Sequence, residues 1–406
     1  MGLPRMTDMH RLAAMEFLQC ILLAVFNSPD PRMGVLIVSQ MIQLSLDYGL
    51  CDVSAFAFAM FGSTLVRDTT KDLEAGYFYG TLSLKLLDVL GASRRFKARV
   101  FAMVYGTINI WRDPLQASLD NLLEGYDAGC SVGDLEYALK SANVYAELAL
   151  YTGQDLSTLE KKMRTFVQRA LQCNQVAAKL AIVTHLSAVL KLTGGAGEED
   201  VYQLLLHTTE KDLFKLLESR NDRGVCFAML NNQKLMHIFK GDMESAIHVY
   251  DLILNSTVTQ MDMENIRTWP FMMGSFADGL IAFSRARKNN EDKHKWIKTG
   301  EDTIKTFKAW EEISKWNYSN KLYLLEAEYY RSVGNNDLAL DKYSSSIQSA
   351  KKHRFVNEEG LAHIFCGQYH FDQGRRDVAQ HSFDEAKRCY MRWGAVALIS
   401  ALQPVA

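Results

Sequence analysis

The densest group of potential metal ligands lies near the C-terminal end of the sequence. His363, Cys366 and His370 are spaced at i, i+3 and i+7, so on one helix they would share a face and could in principle bind a metal. The same offsets are also the inward positions of a packed helix, and a zinc site needs a fourth ligand, for which His381 is the nearby candidate. We therefore interpret the three side chains as core residues and expect no metal.

A glycine-rich stretch could suggest phosphate binding. Residues 193–200 have the sequence TGGAGEED, in which three glycines precede a run of acids. A phosphate-binding loop would need a Lys-Ser or Lys-Thr pair after the glycines, and the acids would repel phosphate. We predict a flexible connector at 193–200 and no nucleotide or other cofactor.

Residues 285–315 combine cations with aromatic rings. This stretch contains nine Lys or Arg residues and six acids, and Trp296, Phe307 and Trp310 lie among them. A stacking surface for single-stranded nucleic acid has such a composition. However, the aromatic residues recur at helical spacing and the charges alternate in sign, which favours a packed helix with a charged outer face.

Catalytic sets are equally hard to find. No nucleophile stands in a Gly-x-Ser-x-Gly turn. The acid pairs Glu311-Glu312, Glu358-Glu359 and Asp384-Glu385 are adjacent in sequence, and adjacent side chains diverge on a helix. We predict that these pairs are solvated rather than acid/base partners. The sequence therefore predicts no catalytic residue and no enzyme activity.

Composition limits the class of protein. The 406 residues include 45 Lys+Arg and 47 Asp+Glu, and this near-neutral balance disfavours a basic nucleic-acid binder. Seven scattered cysteines without a C-x-x-C pair are typical of reduced thiols in a cytosolic protein. The apolar run at 17–26 is about ten residues long, too short to cross a bilayer. We expect a cytoplasmic protein with no membrane contact.

Apolar residues at helical spacing predict the elements that position these side chains. Only six prolines occur, and we see no convincing strand pattern with period two. The fold class is therefore predicted to be all-α, with about eighteen helices of ordinary length. Typical predicted helical segments are 55–66, 73–90, 96–111, 135–151, 159–171, 225–239 and 361–371.

An internal repeat predicts how the helices pair. The pattern Gly-x4-Ala-x3-aromatic occurs three times, and a small residue is expected seven positions before the glycine. In tetratricopeptide repeats the small residues let helices A and B approach, and the aromatic residue fills their groove. Gly367 and Ala327 fit the position before the glycine, whereas Lys234 fits it poorly. The three matches are Gly241/Ala246/Tyr250, Gly334/Ala339/Tyr343 and Gly374/Ala379/Phe383.

The repeats predict one long architecture. A looser version of the pattern places Ala75 and Ala117 at upstream helix crossings. We predict tetratricopeptide-like helical hairpins in a right-handed solenoid, with sub-arrays at 1–192 and 201–406 joined by the loop at 193–200. Because each hairpin in such an array buries its apolar face against its neighbours, coupling should run only between neighbours along one quasi-one-dimensional domain.

Several sequence blocks, in the same order, resemble the tetratricopeptide-like region of large multidomain signalling kinases. The resemblance covers about residues 3–397, and the final block, an acidic helix start followed by an aromatic-x-x-Trp-Gly-Ala ending, is its most specific part. The matching blocks are 44–49 (LSLDYG), 54–59 (SAFAFA), 72–77 (DLEAGY), 84–87 (LKLL), 123–126 (LEGY), 133–138 (GDLEYA), 317–318 (NY), 325–328 (LEAE), 357–362 (NEEGLA) and 390–395 (YMRWGA).

The resemblance implies a regulatory role. In that family the helical region lies between an AAA-type ATPase and a GAF sensor domain, often with a protein-kinase-like domain before and a histidine kinase after them. This chain carries no kinase signature and no ATPase phosphate loop, so no catalytic residue is transferred to it. We expect a non-catalytic scaffold for a protein partner, either a peptide or a kinase, ATPase or GAF-type domain. The alternative is a small-molecule-sensing or enzymatic array with a pocket inside the superhelix.

Overall fold

The computed structural model describes residues 2–26, 32–67, 72–195, 215, 217, 222–255, 269–288 and 291–402. These residues form eighteen α-helices and contain no strand, and their one β-bridge pairs Arg5 with Leu50. The all-α prediction is confirmed.

The chain divides into two compact units, Met1–Tyr145 and Ala146–Ala406. The division falls inside helix α7. The first unit contains α1 (Met9–Phe26), α2 (Arg32–Tyr48), α3 (Asp52–Arg67), α4 (Leu73–Val89), α5 (Ser93–Met103), α6 (Gln116–Val132) and most of α7 (Leu135–Tyr151). The second unit contains the end of α7, then α8 (Leu156–Gln172), α9 (Val176–Thr193), α10 (Arg223–Phe239), α11 (Met243–Asn255), α12 (Trp269–Lys288), α13 (Lys293–Ile313), α14 (Lys315–Val333), α15 (Asn336–Lys352), α16 (Val356–Asp372), α17 (Arg376–Trp393) and α18 (Val396–Ala401).

The predicted helix at 96–111 changes its geometry along its length. It is α-helical as α5, then forms a π-helical turn at Val104–Ile108 and a 3-10 turn at Asn109–Trp111. The hydroxyl of Thr107 lies 2.6 Å from the carbonyl oxygen of Met103. A hydroxyl that bonds to a carbonyl oxygen one turn earlier competes with the backbone hydrogen bonds of the helix. A π-helical segment typically occurs, as here, as a single turn that continues an α-helix.

The three repeat hairpins are present where the pattern predicts them. Helices α10/α11, α14/α15 and α16/α17 pair around turns at Gly241, Gly334 and Gly374, whose φ angles are 76°, 80° and 72°. Glycine adopts this left-handed region without the steric cost of a side chain. The alanines of the pattern, Ala246, Ala339 and Ala379, are all fully buried.

The looser upstream register is wrong by about one residue. Ala75 is only half-buried and Ala117 is exposed. The close crossing of α3 and α4 is instead made by glycines, because a Cβ on Gly76 would lie 2.9 Å from the carbonyl oxygen of Gly62. A search that required alanine at the crossing could not detect a crossing made by glycine.

The expectation of coupling between neighbours alone is also wrong in the second unit. The amide of Asn357 on α16 donates to the carbonyl oxygen of Tyr151 at 3.0 Å, and the hydroxyl of Tyr390 on α17 donates to that of Phe239 at 3.0 Å. In addition, α18 packs against α9. The last helices of this unit therefore contact its first ones, and the array closes on itself. The handedness of the repeat stays a prediction.

The predicted boundary at 193–200 is only partly described. Helix α9 ends at Thr193, and Gly194 closes it with a φ of 66°. Residues 196–200 lie outside the described residues. The two sub-arrays therefore stay a prediction, whereas the compact units meet between residues 145 and 146.

Candidate functional site

The first candidate site is the outer face of α1. Met9, Ala13, Phe17 and Cys20 are spaced at i, i+4, i+8 and i+11, so they form one stripe, which we call the α1 face. All four residues are exposed, Met9 by 75% and Phe17 by 65%. A helix that is apolar on nearly all sides normally lies inside a protein or against another one.

The opposite side of α1 shows what holds the α1 face in position. Met15 and Leu22 are buried, and α1 packs against α2 and α3. The carboxylate of Glu16 binds both terminal nitrogens of Arg95 at 2.7 and 2.8 Å. Packing and this bidentate pair fix the rotation of α1, so the α1 face points to solvent.

Helix α4 provides a contrast within the same unit. Phe78 is 60% exposed, nearly as much as Phe17. Its neighbours on the exposed side are Glu74, Thr81 and Lys85, at i−4, i+3 and i+7. Polar side chains thus separate Phe78 from Val89, the other exposed apolar residue on this side of α4, three turns away. Isolated apolar side chains of this kind are ordinary on a protein surface.

The second candidate site is a group of polar side chains buried in the second unit, which we call the polar centre. On its first side the hydroxyl of Tyr151 donates to Asn232 Oδ1 at 2.5 Å. Asn232 Nδ2 lies 3.3 Å from Nδ1 of His185. All three side chains are buried, and they link α7, α10 and α9.

Burial controls the protonation of this side. It lowers the pKa of His185 to about 4, so the imidazole is neutral near pH 7 and its Nδ1 can accept from Asn232. It also raises the pKa of Glu147, one turn before Tyr151, to about 8. A carboxyl group and an imidazole with pKa values shifted in opposite directions are typical of functional sites, although buried structural networks show the same behaviour.

The other side of the polar centre is an ion pair between α14 and α16. Lys321 Nζ lies 2.9 Å from Oε2 of Glu358, and both side chains are at least 97% buried. The same oxygen accepts from Asn320 Nδ2. Burial lowers the pKa of Lys321 and raises that of Glu358, while the attraction within the pair opposes both shifts. The ammonium group also lies 4.4 Å from the ring of Phe355.

Three oxygen atoms of the polar centre have no hydrogen-bond donor among the residues that the structure describes: Oδ1 of Asn320, Oδ1 of Asn357 and Oε1 of Glu358. The orientation of both amides is fixed, because Nδ2 of Asn320 donates to Glu358 and Nδ2 of Asn357 donates to Tyr151. The unpartnered atoms are therefore acceptors. Buried acceptors without donors are rare in folded proteins and point to a bound water, ion or ligand.

A small cavity adjoins the first side of the polar centre. Its volume is about 10 Å³, which is close to the space that one water molecule needs. Thr184, Ser187 and Asn232 supply polar atoms to its wall, and Ala188, Met229 and Met236 supply apolar ones. The cavity is too small for an organic ligand as it stands.

Sequence reasoning missed the polar centre, and one predicted feature is wrong there. The acid pair Glu358-Glu359 was expected to be solvated, yet both side chains are buried. Glu359 is paired with Arg392 at 2.9 Å, and Glu358 belongs to the polar centre. The poor fit of Lys234 to the repeat was a usable signal of buried charge in the second unit. This lysine is fully buried and forms an ion pair with Asp278, at the position where the other repeats have a small residue.

The side chains that the sequence suggested as metal ligands do not converge on one point. His363 and His370 lie on α16, and burial lowers the pKa of both. Burial also raises the pKa of the Cys366 thiol. In the described part of the chain, no three His, Cys, Asp or Glu side chains converge as a metal site would require.

The aromatic residues of 285–315 belong to helix packing. Phe307 is fully buried in α13, and its ring centroid lies 4.8 Å from that of Trp310. Trp296 stacks under the guanidinium of Arg285 at 4.6 Å. These contacts confirm that the aromatic residues are packed, but the described part of the stretch is divided between the end of α12, α13 and the start of α14 rather than forming one helix.

One described helix, α9, is long and apolar enough to cross a membrane by length and composition. Two thirds of it is buried within the second unit, since 67% of the apolar window is covered. Core helices of folded domains share this character.

Comparisons with known proteins identify no family for this chain. No protein-family model matches the chain, and no curated protein matches it either. A solved structure that aligns with it is a circular tandem repeat protein with novel repeat topology and enhanced subunit contact surfaces. The alignment covers 95% of this chain and 98% of the other at 11% identity, with a TM-score of 0.19, so the likeness carries no argument.

Proposed function

We propose that this chain is a non-catalytic helical-repeat scaffold that binds a protein partner through the α1 face. The partner is a kinase- or ATPase-type domain, and the chain is a regulatory segment of a signal-transduction kinase or ATPase. This assignment of partner rests on the resemblance of the sequence blocks to multidomain signalling kinases. The proposal includes a cytoplasmic location and no nucleic-acid or membrane ligand.

The observation that carries the proposal is the exposure of the α1 face. Surface helices of globular proteins normally carry polar residues on their solvent-facing side. Helix α1 instead presents Met9 and Phe17 to solvent, more than half exposed. Apolar surface of this kind, bordered by the charged side chains of Arg11 and Glu16, supports docking of another protein.

Photocrosslinking in cells tests the proposal. A photoreactive phenylalanine analogue replaces Phe17 in one variant and Phe78 in a matched control, since the two positions are similarly exposed. We expect position 17 to crosslink to a kinase- or ATPase-type domain and position 78 to give only background. Equal crosslinking at both positions, or none at position 17, would contradict the docking role of the α1 face.

A second candidate function is small-molecule sensing by the polar centre. The three unpartnered oxygens of Asn320, Asn357 and Glu358 favour it, because such atoms need donors from a bound group. Native mass spectrometry of the full chain should then show a small adduct that disappears in Asn320→Leu. The control Asn121→Leu removes an amide on α6 and should keep the adduct. Absence of any adduct beyond water would remove this candidate.

A further inference from the structure

A groove in the first unit is lined by arginines. It lies at the starts of α3 and α5 and at the turn between α6 and α7, and its volume is about 440 Å³. Sites for small organic ligands have volumes of about 300–1,000 Å³. We call it the arginine groove; its lining residues are Asp52, Gly91, Ala92, Arg94, Arg95, Arg99, Val132, Gly133 and Asp134.

The acceptors on the wall of the arginine groove are already occupied. The carboxylate of Asp134 accepts from Arg99 Nε at 2.6 Å. The carboxylate of Asp52 accepts from Nη1 of Arg5, whose side chain lies beside the groove, at 2.9 Å. Both acids are therefore neutralised by arginines of the same chain and do not repel an incoming anion as free carboxylates would.

The donors of the groove are in excess. Arg94 is exposed and makes no hydrogen bond or ion pair with any described residue. Arg99 bonds through Nε to Asp134 and through Nη1 to Gln19. Its position is thus fixed by two partners, while its Nη2 has none among the described residues. Guanidinium groups held in this way are pre-organised for a ligand oxygen.

The local charge is also unbalanced. Arg94 and Arg95 stand in the first turn of α5, which contains no acidic residue. Glu16 of α1 pairs with Arg95, so the uncompensated charge is that of Arg94. Positive side chains at this end of a helix oppose the helix dipole, so the sequence carries a small local cost there. An anion bound between Arg94 and Arg99 would offset that cost.

We propose that the arginine groove binds a small molecule through an oxyanion group, either a carboxylate or a phosphate. The planar guanidinium matches both groups with two parallel hydrogen bonds. In the complex, Arg94 and the free nitrogen of Arg99 contact the oxyanion. The rest of the ligand lies along the 440 Å³ groove beside Val132 and Gly133. This site shares no residue with the α1 face or with the polar centre.

Calorimetric titration of the full chain at constant ionic strength tests the site, with pyrophosphate and citrate as the phosphate and carboxylate probes. We expect saturable binding of at least one probe, and the stronger one identifies the oxyanion. Arg94→Met should weaken binding about tenfold, since one charge-assisted pair is lost. Arg112→Met removes an arginine from an exposed pair with Glu74 and should bind as the wild type does.

Hydrogen exchange locates the bound probe independently of any variant. The bound probe should protect amides at 91–99 and 133–134 from exchange. Three results would overturn the proposal: no saturable binding of either probe, equal affinity in Arg94→Met and the wild type, or protection confined to other segments. If Arg94→Met does not fold, the exchange pattern of the wild type decides alone.

Discussion

The two units bury different chemistry. Among the described residues, the first unit buries no charged side chain, and its buried polar residues are Gln19 and six serines. The second unit buries four glutamates and three lysines. Its buried charged residues lie on helices that pack against one another. In the first unit, the cationic side chains lie at the arginine groove and on exposed helix faces.

The difference shows that similar helical hairpins can carry their polar and charged side chains outside or inside. In the first unit the helices cross at glycines, the interior is apolar, and the unusual features are the α1 face and the arginine groove. In the second unit the array closes on itself, so inward polar residues that would line an open groove meet one another as the polar centre. Closure therefore changes which side chains a repeat helix can expose.

The largest expected effect tests the buried charges of the second unit. Lys321→Met leaves the carboxylate of Glu358 buried without its partner, which should lower the free energy of unfolding of this unit by about 3–5 kcal/mol. Urea unfolding followed by hydrogen exchange on peptides of the second unit measures it.

Two variants sharpen this result. The double variant Lys321→Met/Glu358→Gln should recover most of the loss, because no buried charge remains. In the first unit, Arg5→Met breaks an exposed pair with Asp52 and a hydrogen bond to the carbonyl oxygen of Leu90, and should cost at most about 2 kcal/mol. A cost for Lys321→Met no larger than that of Arg5→Met would remove the contrast between the units.

The sequence predicts the helices and the C-terminal hairpins because these depend on local patterns. The segment 135–151 coincides with α7, and Ala339 and Ala379 lie at buried crossings as the repeat requires. Apolar periodicity and a turn glycine determine such features within some twenty residues.

The polar centre could not be predicted in the same way. Its contacts join Tyr151 to Asn357 through closure of the array, and Lys321 to Glu358 through the packing of two adjacent hairpins. Glu358 stands next to another acid, a pattern that is typical of a solvated helix face. Only the packing of α14 against α16 shows that it is buried. The exposure of the α1 face could not be predicted from the sequence either, because it depends on what packs against each side of the helix.

A substitution in the first unit tests its reliance on glycine crossings. A Cβ on Gly76 would clash with Val66 Cγ2 and would lie 2.9 Å from the backbone oxygen of Gly62, so Gly76→Ala should destabilise the first unit by about 1–3 kcal/mol. Gly224→Ala in α10 meets no atom within 4 Å and should be neutral or stabilising by about 0.5–1 kcal/mol. Equal effects of the two variants in thermal unfolding would refute the tight crossing.

The pH dependence of stability tests the burial of Glu147. Its pKa is about 8 in the folded chain and lower when unfolded, so the folded state binds the extra proton. This contribution to stability is present below the unfolded pKa and is lost as the pH rises toward 8. Relative to Glu147→Gln, the wild type should lose up to about 1.4 kcal/mol per pH unit between pH 6.5 and 8. Parallel melting curves for both proteins would show that Glu147 is solvated.

The smallest expected effect concerns the exposed phenylalanines. Phe17→Ser and Phe78→Ser should each change the free energy of unfolding by no more than about 0.5 kcal/mol, because neither ring contributes to a core. If Phe17→Ser alone destabilised the isolated chain by several times that amount, the α1 face would be part of a core and not a docking surface.

Closure of the second unit is the central claim, and hydrogen exchange on Ala379→Leu tests it most directly. The leucine overpacks the buried crossing of α16 and α17, which contact both α15 and the first helices of the unit. We predict loss of protection in α16 and α17 and also in α8–α10, with α1–α6 unchanged. Loss confined to α14–α17 would show that coupling runs only between neighbours and would contradict the closed array.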